Sequence, residues 1–62
     1  MSDVGAPLSS VQATLDDATD RVAELASTAD GQGREGIAMG LWEVERSLRA
    51  ALRRLEAVRR EL

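Results

Sequence analysis

Apolar residues recur along the first half of the chain at Leu8, Val11, Leu15, Ala18, Val22, Leu25 and Ala29, in alternating steps of three and four. The same alternation runs through the second half at Ile37, Leu41, Val44, Leu48, Ala51, Leu55, Val58 and Leu62. Such steps keep side chains on one face of an α-helix, and their strict alternation is the heptad signature of helices that pack lengthwise, as in a coiled coil. The pattern predicts helices over residues 9–30 and 36–62. Between them Gly31, Gly33 and Gly36 bracket Gln32, Arg34 and Glu35, which predicts a turn over residues 31–35 with Gly31 as the helix stop. Residues 1–8 include Ser2, Asp3, Gly5 and Pro7 and carry no apolar period, so they read as a flexible N-terminal arm. Ser9, followed three residues later by Gln12, has the form of a capping box at the start of the first helix.

Two heptad helices joined by so short a connection fold back on each other, so the predicted class is all-α and the architecture an antiparallel helical hairpin. Setting Ala29 against Ile37 at the turn brings Leu8 opposite Val58. At 1.5 Å per residue the helices would run for ~31 and ~40 Å, leaving the second to overhang by about a turn.

Size changes this picture. A chain of 62 residues is one small domain, and such a domain buries only about 60% of its unfolded surface, which leaves lone folding marginal. Leu52 and Ala38 widen the apolar stripe of the second helix beyond what one facing helix covers. Burial of a large apolar side chain contributes ~1.5–3 kcal/mol. The expectation is therefore a homodimer forming a four-helix bundle, with Leu15, Val22, Leu25, Leu41, Val44, Leu48, Leu52 and Leu55 in its core.

Composition removes most chemistry. With no Cys and no His, the chain has no disulfide, no thiol nucleophile, no Ser-His-Asp triad and none of the usual zinc ligands. Asp16, Asp20 and Glu24 share one side of a helix at a spacing that could gather carboxylates round a hard cation, but they lie off the seam without the His partners of bundle metal sites. No apolar pocket is evident that would split the pKa values of a carboxyl pair. The expectation is a non-enzyme with no metal and no cofactor. The longest weakly polar stretch, residues 36–42, is far shorter than the ~20 residues a membrane helix needs, so no membrane span and a cytoplasmic location are expected.

Eleven acids against eight arginines give a net charge of −3, unevenly divided. The first helix has Asp16, Asp17, Asp20, Glu24 and Asp30 against Arg21; the second has Arg46, Arg49, Arg53, Arg54, Arg59 and Arg60 against Glu43, Glu45, Glu56 and Glu61. The helices should attract each other, with Glu45 to Arg49 and Glu56 to Arg60 as i, i+4 pairs and the charges suiting both helix dipoles. Gly36 and Gly40 make a small-xxx-small pair that allows a close helix approach, a hinge, or simply a weak first turn.

Trp42 is the single aromatic residue and falls outside the seam, beside Met39 and Arg46. Trp next to Met is a composition favoured at protein interfaces, although the ring could equally pack within the oligomer. Met39, Trp42, Arg46, Arg53 and Arg60 form the candidate partner surface. The expected role is a small protein–protein interaction or assembly module that scaffolds or regulates a larger, unidentified protein. A second reading is a transcription regulator whose arginines contact nucleic acid or the transcription machinery, since guanidinium forks match phosphate. The interleaved Glu56 and Glu61, the net negative charge and the missing stacking aromatics rank it below the first.

An acidic helical hairpin with a Trp near its turn resembles the secreted Trp-x-Gly proteins, which are antiparallel helix pairs that dimerise into four-helix bundles. That resemblance implies a third reading, a small secreted hairpin. Here Trp42 precedes Glu43 and Val44 and lies within the second helix, so the likeness is one of architecture and assigns no family.

Overall fold

The computed structural model describes residues 3–62; Met1 and Ser2, part of the predicted arm, lie outside the described residues. The chain forms two α-helices, α1 (Gly5–Gly31) and α2 (Glu35–Arg60), packed side by side as an antiparallel hairpin. The all-α hairpin read from the heptads is the observed fold.

The first helix begins at Gly5, four residues before the predicted start. Pro7 is no obstacle, because an amide in the first helical turn has no intrahelical acceptor and the ring presets a helical φ. The first full-length bond, Leu8 N–H to the Val4 carbonyl at 2.9 Å, is already in place, and Leu8 is half-covered rather than loose. Ser9 and Gln12 consequently lie inside the helix and make no capping box; Val4 is the N-cap and uses no side-chain bond. The earlier start also equalises the helices at 27 and 26 residues, ~40 and ~39 Å, so α2 has no turn-long overhang. It leaves α1 without an acid in its first turn, whereas α2 carries Glu35 in its first turn and Arg59 and Arg60 in its last, where they suit the dipole.

The stop signal is Gly33, not Gly31. Gly33 has φ 76°, and its N–H donates to the Asp30 carbonyl at 3.0 Å while the Arg34 N–H donates to the Ala29 carbonyl at 2.9 Å. Those two bonds and the left-handed glycine make a Schellman motif, which satisfies carbonyls the helix end would otherwise leave free. The Arg34 carbonyl then accepts from Ala38 N–H at 3.0 Å and starts α2.

Packing departs from the predicted seam by half its members. The columns Leu8, Leu15, Val22, Ala29 and Leu41, Leu48, Leu55 do lie between the helices. Their companions do not come from the apolar set. Gln12, Thr19 and Ala26 of α1 face Ala38, Glu45 and Leu52 of α2, and the buried residues are Thr19, Ala26, Ala29, Ala38 and Glu45. Val11 and Leu25, and Ile37, Val44 and Val58, are left between 46 and 57% exposed. Small residues let two helix backbones approach closely, and the polar residues of this flank find partners within the hairpin. Thr19 Oγ1 donates to the Leu15 carbonyl at 2.6 Å, Arg49 Nε donates to Glu45 Oε2, and Arg59 Nη1 donates to Gln12 Oε1 across the open end. No buried side-chain polar atom among the described residues lacks a partner.

Candidate functional site

An antiparallel pair has a simple rule of sides. Residues displaced from the contact line in the same rotational sense along each helix fall on the same side of the hairpin, because reversing one helix also reverses its sense of rotation. Val11, Ala18 and Leu25 sit one position before Gln12, Thr19 and Ala26. Ile37, Val44 and Ala51 sit one position before Ala38, Glu45 and Leu52. Both apolar sets therefore share one side, with the leucine columns forming the floor between them. The other side gathers charge: Asp16, Arg49, Leu52, Arg53 and Glu56 line a shallow hollow of about 210 Å³. There the Arg49 guanidinium is held yet more firmly in its charged form, first by its hydrogen bond to Glu45 and by that residue's charge, then by Asp20 and Asp16. The ion pair on this side, Arg49 with Glu45, lies within α2, with Asp16 and Asp20 of α1 near it.

Of the predicted dimer-core residues, Leu15, Val22, Leu41, Leu48 and Leu55 are half-buried on the floor, Val44 and Leu25 stand exposed on the open apolar side, and Leu52 faces α1 inside the hairpin. The predicted partner-surface residues follow a separate stripe. Met39, Trp42, Arg46, Arg53 and Arg60 recur at steps compatible with one helix face, and all five are exposed, Met39 at 66% and Trp42 at 37%. This stripe runs along the charged side of α2, away from the open apolar side. The arginine end carries a second hollow of about 330 Å³ lined by Glu56, Arg59 and Arg60.

Among the described residues no three His, Cys, Asp or Glu side chains come together, so Asp16, Asp20 and Glu24 do not gather round a common point. Among the described residues no helix is long and apolar enough to cross a membrane. A side chain at Gly40 would meet nothing within 4 Å, as would one at Gly36, so the small-xxx-small pair serves no close approach inside the hairpin. The heptad spacing does not distinguish the five exposed apolar residues Val11, Leu25, Ile37, Val44 and Val58, which with Ala18 and Ala51 are the alternate members of the two seams. The signal that separates them was present: their neighbours Gln12, Thr19, Ala26, Ala38 and Glu45 are small or able to hydrogen-bond, which suits a closer contact. No protein-family model, curated protein or solved structure matches the chain.

Proposed function

We propose that this protein is a non-catalytic association module: a helical hairpin that assembles through its open apolar side and presents the outer stripe of α2 to a larger protein. The observation that carries this reading is the row Val11, Leu25, Ile37, Val44 and Val58, each about half exposed on one side of the hairpin. A contiguous apolar surface of this kind marks an interaction site on a small protein, in contrast to scattered single apolar residues. The row itself contains no charged residue, and Arg21 and Arg54 stand only at its rim, which suits a docking surface whose central part is depleted in charge. Met39 and Trp42 beside Arg46 supply the side-chain types favoured in interface anchors.

The nucleic-acid reading has less support. Its arginines are interleaved with Glu45 and Glu56, and Arg49 and Arg59 are engaged by Glu45 and Gln12.

Affinity capture from the native cell extract tests the proposal. Protein complexes retained by the wild type and lost on Val44→Glu or Trp42→Ala are the expected result. Recovery of nucleic acid, lost on combining Arg53→Glu with Arg60→Glu and weakening steeply with salt, would transfer the function to the arginines.

A further inference from the structure

We infer that the occupant of the open apolar side is a second copy of this chain, seated face to face so that two hairpins close a four-helix bundle. The inference rests on the association reading above and names the partner.

The first argument is what the single hairpin fails to bury. Its fully covered apolar side chains are Ala26, Ala29 and Ala38, which carry little apolar area. Leu15, Leu41, Leu48 and Leu55 are covered on one flank only. Two ordered 26- and 27-residue helices incur a conformational cost of ~1.5 kcal/mol per residue, and a core of three alanines and half-covered leucines does not offset it. The occupant must therefore be present whenever the chain is folded. A copy of the same chain meets that requirement at every site of synthesis.

The second argument is breadth. The apolar row lies on both helices, running ~32 Å along α2 from Ile37 to Val58 on a hairpin 15 Å broad. One helix laid along it would cover only part of that width; a second hairpin of the same dimensions covers all of it.

The third argument is charge. Identical molecules of net charge −3 repel, but the acids Asp16, Asp20 and Glu45 and the arginines Arg49 and Arg53 lie off this side, which only Arg21 and Arg54 border at its rim. A two-fold axis in the plane of the contact places apolar row on apolar row and leaves the charges at the outside of the bundle. Such a contact is self-complementary, as a two-fold interface must be.

Sedimentation equilibrium at micromolar concentration tests the assignment, together with thermal unfolding followed by circular dichroism. The wild type is expected at twice the 6.7 kDa chain mass. Its unfolding midpoint should rise when concentration is increased about 100-fold, because dimerisation stabilises the folded state by mass action. Val44→Glu and Leu25→Glu should each yield the single-chain mass or an unfolded chain, whereas Arg53→Glu on the charged side should keep the doubled mass. Should either apolar-side variant unfold, the concentration dependence of the wild-type midpoint still decides. A folded wild type of single-chain mass with a concentration-independent midpoint overturns the second copy, as does a mass of three or more chains. If that monomer still loses captured proteins on Val44→Glu, the association reading stands with a different occupant; if capture is indifferent to Val44, both fail.

Discussion

The two flanks of the leucine columns make an instructive pair. One flank, Gln12, Thr19 and Ala26 against Ala38, Glu45 and Leu52, contains the less hydrophobic residues, yet it closes inside the hairpin. The other, with Val11, Leu25, Ile37, Val44 and Val58, is the more apolar and is left open. Apolar character alone would have chosen the reverse. What decides is fit: alanines allow close backbone approach, and each polar residue of the inner flank has a hydrogen-bond partner within the same hairpin. The inner flank is closed within the hairpin, whereas the more apolar flank stands open. In the proposed assembly, this division lets one pair of heptad helices serve two contacts, a hairpin contact within the chain and a docking surface on it.

The comparison can be broken first at a residue common to both flanks. Leu48 stands on the floor between the helices, half-buried in the single hairpin. If the outer flank is covered, Leu48→Ala creates a cavity in a closed core and should cost ~2–5 kcal/mol in chemical denaturation. A cost below ~1 kcal/mol would show that the floor is bare and that the two flanks do not share a core.

Overfilling distinguishes the flanks from each other. Ala26 is wholly inaccessible, so Ala26→Leu should force the helices apart and lower stability by ~1–3 kcal/mol. Val11, by contrast, is 48% exposed, and Val11→Leu should be tolerated at a fraction of that cost in the same thermal melts. Equal losses at the two positions would erase the proposed difference in closeness of fit.

The smallest effects concern the two glycines, and they should have opposite signs. Gly33→Ala places a Cβ at φ 76° and should destabilise by ~1–2 kcal/mol. Gly40→Ala lies inside α2 with open space around its missing Cβ, and should stabilise by up to ~1 kcal/mol. A loss at Gly40, accompanied by weaker association, would mean that bare backbone there touches the molecule covering the outer flank.

Much of the architecture was legible in the order of residues, and the misreadings have local causes. The alternation through Leu15, Val22, Leu41, Leu48 and Leu55 located both helices and their common columns. Gly31, the first glycine after the seam, has the local signature of a stop, but the left-handed position falls at Gly33, where the Schellman bonds to Ala29 and Asp30 form. Pro7 and Gly5 read as breakers although both are compatible with a first turn. Gln12 looked like a capping residue and instead bonds Arg59 from the far end of the other helix, a pairing invisible to any local rule. The candidate partner stripe of Met39, Trp42, Arg46, Arg53 and Arg60 could be placed on one helix face from spacing alone, because helical geometry fixes which residues align.

Taken by itself, the order of residues determined that there are two helices, that they turn back on each other, and that charge is divided between them, because periodicity, glycine and charge act over a few residues. Tertiary structure alone decided which half of each heptad seam is consumed within the hairpin. That choice depends on the rotation of each helix about its own axis, set by the close fit of Ala26, Ala29 and Ala38 and by the partners of Thr19 and Glu45, and heptad spacing is equally satisfied by either rotation.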